Sequence, residues 1–390
     1  MQDKLCSFYT NLQPLSAYGS LFMNIIQDNK PKKILFIVPY PLGTAPSQRF
    51  RVEQFLPAIQ KAGMAWHIKP FFSARAWHIL YKKGSLPGKG LEILKGLAKR
   101  FWLILFQVHR YDVIFIHREA APLGPPLFEW IIRFIWRRKF ILDFDDAIWV
   151  PIITRENKGA MALKCFWKVK YLCKWAGINL AGNNYLADFA ISSGASKAIF
   201  FPTVVDTRNR FVIPGSNTKN RKPVIGWTGS HSTIHYLNSC IEVLQKVKEK
   251  TDFTFVVIAD KKPEIDIAYE FVAWNKYSEI ECLKRFDIGI MPLKHTPTSE
   301  GKCGFKLIQY MAMGIPAIAD DTRANSDIVD SGINGFICHT DADWQHAITL
   351  LLQDETLRKE MGEKARKKVE AHFSLASREG QLLEVLNCIS

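Results

Sequence analysis

Between Glu300 and Asp321 the sequence reads EGKCGFKLIQYMAMGIPAIADD, and the side chains best suited to chemistry are gathered here. Lys302 and Lys306 stand among the small residues Gly301, Cys303 and Gly304, and an amide follows at Gln309. The order predicts a loop, a helix from about Phe305, a tight turn at Gly314 and, after Pro316, the short apolar strand Ala317–Ala319. At 3.6 residues per turn, Leu307, Ile308 and Met311 form a buried stripe, while Lys306 and Gln309 lie together on the opposite, working side. The first turn of such a helix carries unpaired N–H groups and the positive end of the macrodipole, and Gly301 and Gly304 let a ligand approach the backbone. An anion is expected there. The alternative is an ordinary amphipathic helix with two solvated lysines.

The elements that position this stretch alternate. Lys32–Val38 (KKILFIV) predicts a buried strand, followed by the loop YPLGTAPSQRF and a helix to about Lys61. This opening lacks G-x-G-x-x-G, so a dinucleotide site is weakly supported. Further strands are expected at Tyr111–His117, Lys139–Phe144 and Gly177–Ala181, separated by segments of helical length, which predicts a parallel α/β sheet. The polar, basic stretch Thr207–Pro223 is the best linker. A second series then runs through Val224–Trp227, the loop TGSHST, a helix to about Lys250, Phe253–Ile258, a segment around Trp274, Asp287–Met291 and Gly335–Cys338. The expected division is an extension (1–31), a first domain (32–206), a linker (207–223), a second domain (224–370) and a C-terminal helix (371–390). Ligands of such sheets bind outside the carboxyl ends of the strands. The loops at Leu42–Arg51, His117–Gly124, Asp143–Trp149, Thr228–Thr233, Trp274–Glu281 and Ser299–Lys306 are therefore expected to converge on one cleft.

With 390 residues, 48% hydrophobic and 23% charged, the chain excludes disorder and accommodates two cores. It opens on no secretory leader, and its longest apolar runs, such as Phe101–Phe106, are too short to span a bilayer, so a cytoplasmic location is expected. Eight cysteines without a C-x-x-C pair or zinc spacing predict reduced thiols and no structural metal. The formal charge of +15 needs a partner. From Arg75 to Arg110 eight Lys or Arg stand against Glu92 alone, interleaved with Trp77, Tyr81, Phe101 and Trp102, and similar mixtures recur at Trp130–Lys139 and Lys164–Trp175. No nucleic-acid recognition motif accompanies them. An anionic membrane surface fits better, because amphipathic segments mixing Lys and Arg with Trp, Phe and Leu lie in the interface; the plainer reading is core aromatics with solvated lysines.

The run GKCGFKLIQYMAMGIPAIA, preceded by FDIGIMPL and followed by GINGF, resembles the donor-binding core of retaining glycosyltransferases of family 4. RFR, HREAAPLG, DFDDAIW, AGNNYLADFA and IGWTGSHST upstream are similar to the same group, in the same order. The resemblance implies the GT-B fold: two Rossmann-like domains facing across a cleft, with a C-terminal helix crossing back to the first. It implies a nucleotide-diphosphate sugar donor on the second domain and a saccharide acceptor on the first. Family members usually place two glutamates eight positions apart here; the positions matched through Gly304 are Gly301 and Gln309, with Glu300 one residue from the first. The usual Arg and Lys after the second domain's first strand are also missing from GWTGSHST.

The diphosphate is then expected on Gly229, Ser230, Thr233, Gly304 and the two lysines, with Arg49 reaching over from the first domain. Trp274, Asn275 and Gln309 are expected at the nucleotide, and Glu300, Cys303 and Phe305 at the donor sugar. Gly43, Arg51, Asp145 and Asp146 are expected on the acceptor side. His117, Lys302 and Lys306 are the expected catalytic residues, His117 because the family often has a histidine there. Asp143, Asp145 and Asp146 also form an Asp-x-Asp pattern that in another fold holds a divalent ion; with two α/β halves and a helix N-terminus for the phosphates, no metal or other cofactor is expected. The implied reaction is retaining transfer to a lipid-linked saccharide hydroxyl for a cell-surface polymer, on the inner face of the membrane. A nucleotide-sugar epimerase of the same fold and a non-catalytic binding subunit are the competing readings.

Overall fold

The computed structural model describes residues 30–80, 84, 86–151, 161, 163–213 and 221–389. The first sheet consists of β1 (Lys33–Val38), β2 (Ala65–Pro70), β3 (Val113–His117), β4 (Ile141–Phe144), β5 (Ile178–Ala181) and β6 (Ala198–Phe200). Its spatial order is β2-β1-β3-β4-β5-β6. The second consists of β7 (Val224–Thr228), β8 (Thr254–Ala259), β9 (Glu270–Ala273), β10 (Ile288–Met291), β11 (Ala317–Asp320) and β12 (Gly335–Cys338), ordered β12-β11-β10-β7-β8-β9. Every pairing is parallel, from Ile34↔Val113 between β1 and β3 to Ile288↔Ile225 between β10 and β7. Helices cover both faces, so interior strands such as ILFIV of β1 are apolar at every position.

The chain order around the starting strand reverses between β1 and β3 in one sheet and between β7 and β10 in the other. Ligands of doubly wound sheets bind at these crevices. The second sheet has the dinucleotide-binding order, with two strands beyond β7 on one side and three on the other. The first has the flavodoxin-like order, with only β2 beyond β1. The three strands absent from the sequence reading, β2, β6 and β9, are all sheet edges. Half-buried at most, β2 and β9 mix polar with apolar residues, and β6, though apolar, is only three residues long.

The helices used below are α1 (Pro46–Arg51), α2 (Leu86–Phe106), α3 (Leu127–Trp130, continued by a π turn at Ile131–Ile135), α4 (Lys168–Trp175), α5 (Asn184–Ser192), α6 (Phe305–Ala312) and α7 (Leu375–Cys388). The chain crosses between domains twice. The first crossing follows β6 through the expected linker, of which residues 214–220 lie outside the described residues, as does 1–29 of the expected extension. The second passes the π turn Val369–Phe373 into α7, which buries Leu382, Val385, Leu386 and Ile389 against Ile34, Phe36, Phe55 and Ile59 of the first domain. Val205 ties the crossings together: its N–H donates to Phe373 O at 3.0 Å, and its carbonyl accepts from Leu375 N–H at 2.9 Å.

The two domains touch across the cleft. Asn183 caps α5 through its side-chain oxygen, which accepts from Leu186 N–H at 2.8 Å, while its amide group donates to Glu300 O and Lys302 O, both at 2.9 Å. At the same seam Gly182 and Gly301 permit close approach. A Cβ on the first would lie 2.3 Å from Cys303 Sγ, and one on the second 2.4 Å from Ala147 Cβ.

Candidate functional site

On the second domain, α6 starts from Gly304 in the left-handed region, φ 58°, where a Cβ would lie 2.2 Å from Ile328 Cδ1. Only glycine fits both the turn and the packing. The first turn of α6 lifts Lys306 Nζ to 4.4 Å from the centroid of the buried Trp227 ring and 3.4 Å from Thr233 Oγ1. Lys302 Nζ lies 5.8 Å from the Tyr236 ring. Burial, and then the Lys302 charge, lower the Lys306 ammonium to about 7. His235 is held below its ordinary value by burial and by Lys302, Lys294 and Lys306, so three cations act on one spot. Among the described residues none of those lysines has a carboxylate within ion-pair distance. Unpaired cations beside a helix N-terminus form an anion site.

The loop after β7 contributes hydroxyls more than amides. Gly229 N–H donates to Ile258 O at 3.0 Å and Ser230 N–H to Thr233 Oγ1 at 3.1 Å, so neither amide is open for a phosphate as expected. Gly229 serves close packing, since a Cβ there would sit 2.2 Å from Trp227. Ser230 Oγ lies 2.8 Å from Ser232 Oγ, and both hydroxyls remain accessible.

On the first domain the carboxyl ends of β3 and β4 carry a buried polar network. Asp143 accepts from Arg51 Nε at 3.0 and 3.1 Å, and His117 Nδ1 lies 2.6 Å from its Oδ2; all three side chains are fully buried. The carboxylate orients the imidazole through Nδ1, which leaves Nε2 facing Ser47 Oγ at 3.0 Å. His117 therefore reaches the cleft only through Ser47, and Arg51, also bonded to Phe201 O at 2.8 Å, is a structural counter-ion and not an acceptor contact. Burial alone would weaken the Arg51 charge, but Asp143 holds its pKa above the ordinary value. The next residue, Arg118, adopts φ 64° while Glu119 N–H donates to His117 O at 2.8 Å across it, a γ-turn that a non-glycine residue occupies at a cost of about 1–3 kcal/mol. The turn aims its guanidinium at Asp145 (2.9 Å) and Asp146 (3.7 Å). Burial opposes ionisation of Asp145, but Arg118, His117, Arg51 and the Ser47 hydroxyl hold its pKa below the carboxylate range. Among the described residues no group of three His, Cys, Asp or Glu is placed to hold a metal ion.

Other expected residues sit differently from their anticipated roles. Gln309 is buried, not on an open face, and its amide donates to Glu279 Oε1 at 3.0 Å. The helical wheel failed because α6 is enclosed on more than one side. Glu300 accepts from Arg323 N–H at 3.1 Å, a backbone partner rather than a sugar. Cys303 is a buried thiol donating to Asp145 O at 3.0 Å, its pKa pushed up by burial, and Phe305 packs on Phe50 with ring centroids 4.5 Å apart. Both close the seam between domains. Arg49 does cross to the second domain, but its Nη2 lies 3.9 Å from Glu279 Oε2. Gly43 donates to Glu53 at 2.9 Å and accepts from Lys276 Nζ at 3.3 Å; Asn275 is exposed and half-buried Trp274 packs on the second core. Ser47 and Glu279 escaped the sequence reading: Ser47 meets His117 across 70 positions, and Glu279 meets Gln309 across 30.

The first domain also carries a broad exposed apolar face. Trp102 (59% exposed), Leu105 and Phe106 of α2, Trp130 of α3, Phe134 and Ile135 of the π turn, and Trp167 and Tyr171 at α4 remain open to solvent. Ring contacts join these elements: Phe101–Phe128 at 4.9 Å and Phe134–Trp175 at 5.4 Å. Exposed Lys99, Arg137, Lys170 and Lys174 belong to the same segments. No helix among the described residues is long and apolar enough to cross a membrane.

Residues 222–354, the second sheet with its helices, match the family model described as glycosyl transferases group 1. Comparison with curated sequences returns no significant match. Among solved structures, sucrose-phosphate synthase from Thermosynechococcus elongatus aligns at 15% identity over 92% of this chain and 99% of that one, with a TM-score of 0.65. The chain has the GT-B fold. A glycosyltransferase from Rickettsia africae shares this GT-B arrangement at 16% identity, TM-score 0.62, over 92% and 98% of the two chains. Anabaena HepE in complex with UDP-glucose does so at 14% identity, TM-score 0.62, over 92% and 100%. Both switch-point crevices of this GT-B chain open on the seam where its domains meet, with the lysine cluster on one side and the Ser47–His117–Asp143 network on the other.

Proposed function

We propose that the chain is a retaining glycosyltransferase that moves a sugar from a nucleoside-diphosphate donor to a hydroxyl of a lipid-linked saccharide, without a metal ion, at the inner face of a membrane. One observation carries the reading: Lys302 and Lys306 converge with Ser230 and Thr233 at the N-terminus of α6, with no carboxylate among the described residues within ion-pair distance of either. A diphosphate supplies that charge, and its own charge grows as the sugar departs, so fixed cations stabilise the transition state more than the ground state. The group 1 match over the same domain and the UDP-glucose held by HepE support a nucleotide-sugar donor.

Cations on the phosphates take the place of a metal, and the carboxylates at the end of β4 are already committed, Asp143 to Arg51 and His117, Asp145 to Arg118. With no free carboxylate assigned as nucleophile, retention follows from attack on the face the diphosphate leaves, the departing phosphate taking the acceptor proton. Domain closure over Gly182 and Gly301 excludes water. The exposed aromatic and basic face of α2, α3 and α4 supports an acceptor presented at an anionic bilayer, in a polysaccharide-building role.

The test incubates the protein with nucleotide sugars and with a total polar lipid extract as acceptor, and reads labelled product and its anomeric configuration. Lipid-soluble product of retained configuration is expected. Conversion of the donor without acceptor would favour an epimerase, and binding without turnover a non-catalytic subunit.

A further inference from the structure

At the edge of the first sheet opposite the cleft, the amino ends of β1 and β3 and the exits of α2 and α3 border a cavity of about 510 Å³, lined by Lys30, Lys32, Lys33, Arg110, Arg138 and Asp112. Five cations thus share it with one carboxylate. That carboxylate is committed, Asp112 Oδ2 accepting from Lys33 N–H at 2.7 Å. Two of the cations are held in place by carbonyls. Arg138 Nη2 donates to Tyr111 O at 2.7 Å and to Asp112 O at 2.8 Å, and Lys32 Nζ donates to Asn387 O of α7 at 3.1 Å. Among the described residues none of the five has a carboxylate within ion-pair distance. Like charges gathered at one concave place repel, and an anion seated among them relieves the repulsion.

The cavity belongs to the same two helices that carry the exposed aromatic face. Arg110 comes four residues after Phe106, the end of α2, and Arg138 three residues after Ile135, the end of the π turn that continues α3. The two exits are joined: Trp136 Nε1 donates to Ile104 O at 2.8 Å, and the Trp136 ring stacks on His109 with centroids 5.4 Å apart. Exposed Arg137, at φ 51°, turns the chain from the apolar π turn to Arg138. A nucleic acid would satisfy the cations but leave Trp102, Phe106 and Phe134 in water. A bilayer interface satisfies both, because it takes aromatic side chains at the acyl boundary and presents phosphates directly above it. We infer that the cavity receives the phosphate of an anionic phospholipid headgroup while Trp102, Phe106 and Phe134 enter the interface of the same leaflet. The inference rests on the membrane part of the reading above and adds a headgroup site to it, remote from the cleft.

The experiment measures cosedimentation with vesicles of phosphatidylcholine alone and of phosphatidylcholine mixed with phosphatidylglycerol, at fixed ionic strength. It compares the wild type, the cavity variant Lys30→Gln/Lys32→Gln/Arg110→Gln, the face variant Trp102→Ser/Phe134→Ser, and the charge control Lys246→Gln/Lys250→Gln/Lys364→Gln, which removes exposed lysines of the second domain. Thermal midpoints show that each is folded. The wild type is expected to bind the mixed vesicles and not the neutral ones. The cavity variant should bind them about 100-fold more weakly, and the face variant should also lose binding. The charge control, of equal net charge, should stay within about threefold of the wild type, because distant charges are screened. A cavity variant no weaker than the charge control would overturn the headgroup site while leaving the membrane reading in place. Failure of the wild type to bind either vesicle would overturn both, with the donor reading untouched. Cavity-dependent binding of soluble glycerol phosphate or of RNA, without cavity dependence on vesicles, would assign the place to a free anion or a nucleic acid and overturn the lipid.

Discussion

Replacing Lys306 by Met removes the ammonium while keeping an unbranched chain over the Trp227 ring. On the proposed reading the lysine would make a charge-assisted bond to a phosphate oxygen, worth about 1.5–3 kcal/mol, so its loss should weaken nucleoside diphosphate affinity roughly 10- to 150-fold. The lysine also leaves a proton signature. With its pKa at about 7, most of the free protein has released this proton at pH 8, and binding of an anion restores it. Uptake of about 0.9 proton per ligand is expected at pH 8, falling toward ~0.1 at pH 6. Titration calorimetry in two buffers of different ionisation enthalpy reads that number directly. In the free protein the sign is also defined: between about 7 and 10 the unfolded chain holds a proton that the folded one has released, so stability rises with pH across that window. Lys306→Met should flatten the rise. Unchanged affinity in the variant, or no proton uptake by the wild type at pH 8, would refute the reasoning.

The Asp143 network is expected to dominate first-domain stability. Asp143→Ala strands a fully buried Arg51 guanidinium, and urea unfolding should show a loss of about 3–5 kcal/mol; a loss below about 1 kcal/mol would mean that the pair carries little. Gly182→Ala places a methyl 2.3 Å from Cys303 Sγ, and it is expected to hold the domains apart without unfolding either. Small-angle scattering should then show a larger radius of gyration in the variant, and an unchanged radius would show that the seam yields locally. Gly304→Ala combines a left-handed backbone with a 2.2 Å contact to Ile328, and about 2–3 kcal/mol of second-domain stability should be lost in the same unfolding assay.

The interior of both sheets was legible because burial on two faces leaves few polar positions, and His117 and Asp143 fall at the carboxyl ends of their strands or next to them, where they do not break the apolar run. KILFIV, VIFIH and ILDF read as strands almost to the residue. The edges β2 and β9 carry His67, Lys69 and Glu270, and β6 is a three-residue strand too short to show a run, so none had that signature. The cation cluster was legible for a local reason, since Gly304 fixes where α6 begins and the spacing of Lys302 and Lys306 follows from it. The first-domain network was not, because His117, Asp143, Arg51 and Ser47 come from separate elements and only the β1-β3-β4 adjacency brings them together. Gln309 misled for the complementary reason: a helical wheel divides core from solvent, whereas α6 faces the sheet on one side and Glu279 on another.

A thermal-shift panel of UDP, GDP, ADP and TDP and their common sugar conjugates, each with and without EDTA, tests the central claim most directly. A ligand at about 100 times its dissociation constant adds roughly 2.7 kcal/mol to the folded state. The account predicts a rise selective for one base and indifferent to EDTA, as expected if lysines and hydroxyls rather than a metal ion hold the diphosphate. No rise with any nucleotide, or one that EDTA abolishes, would contradict it.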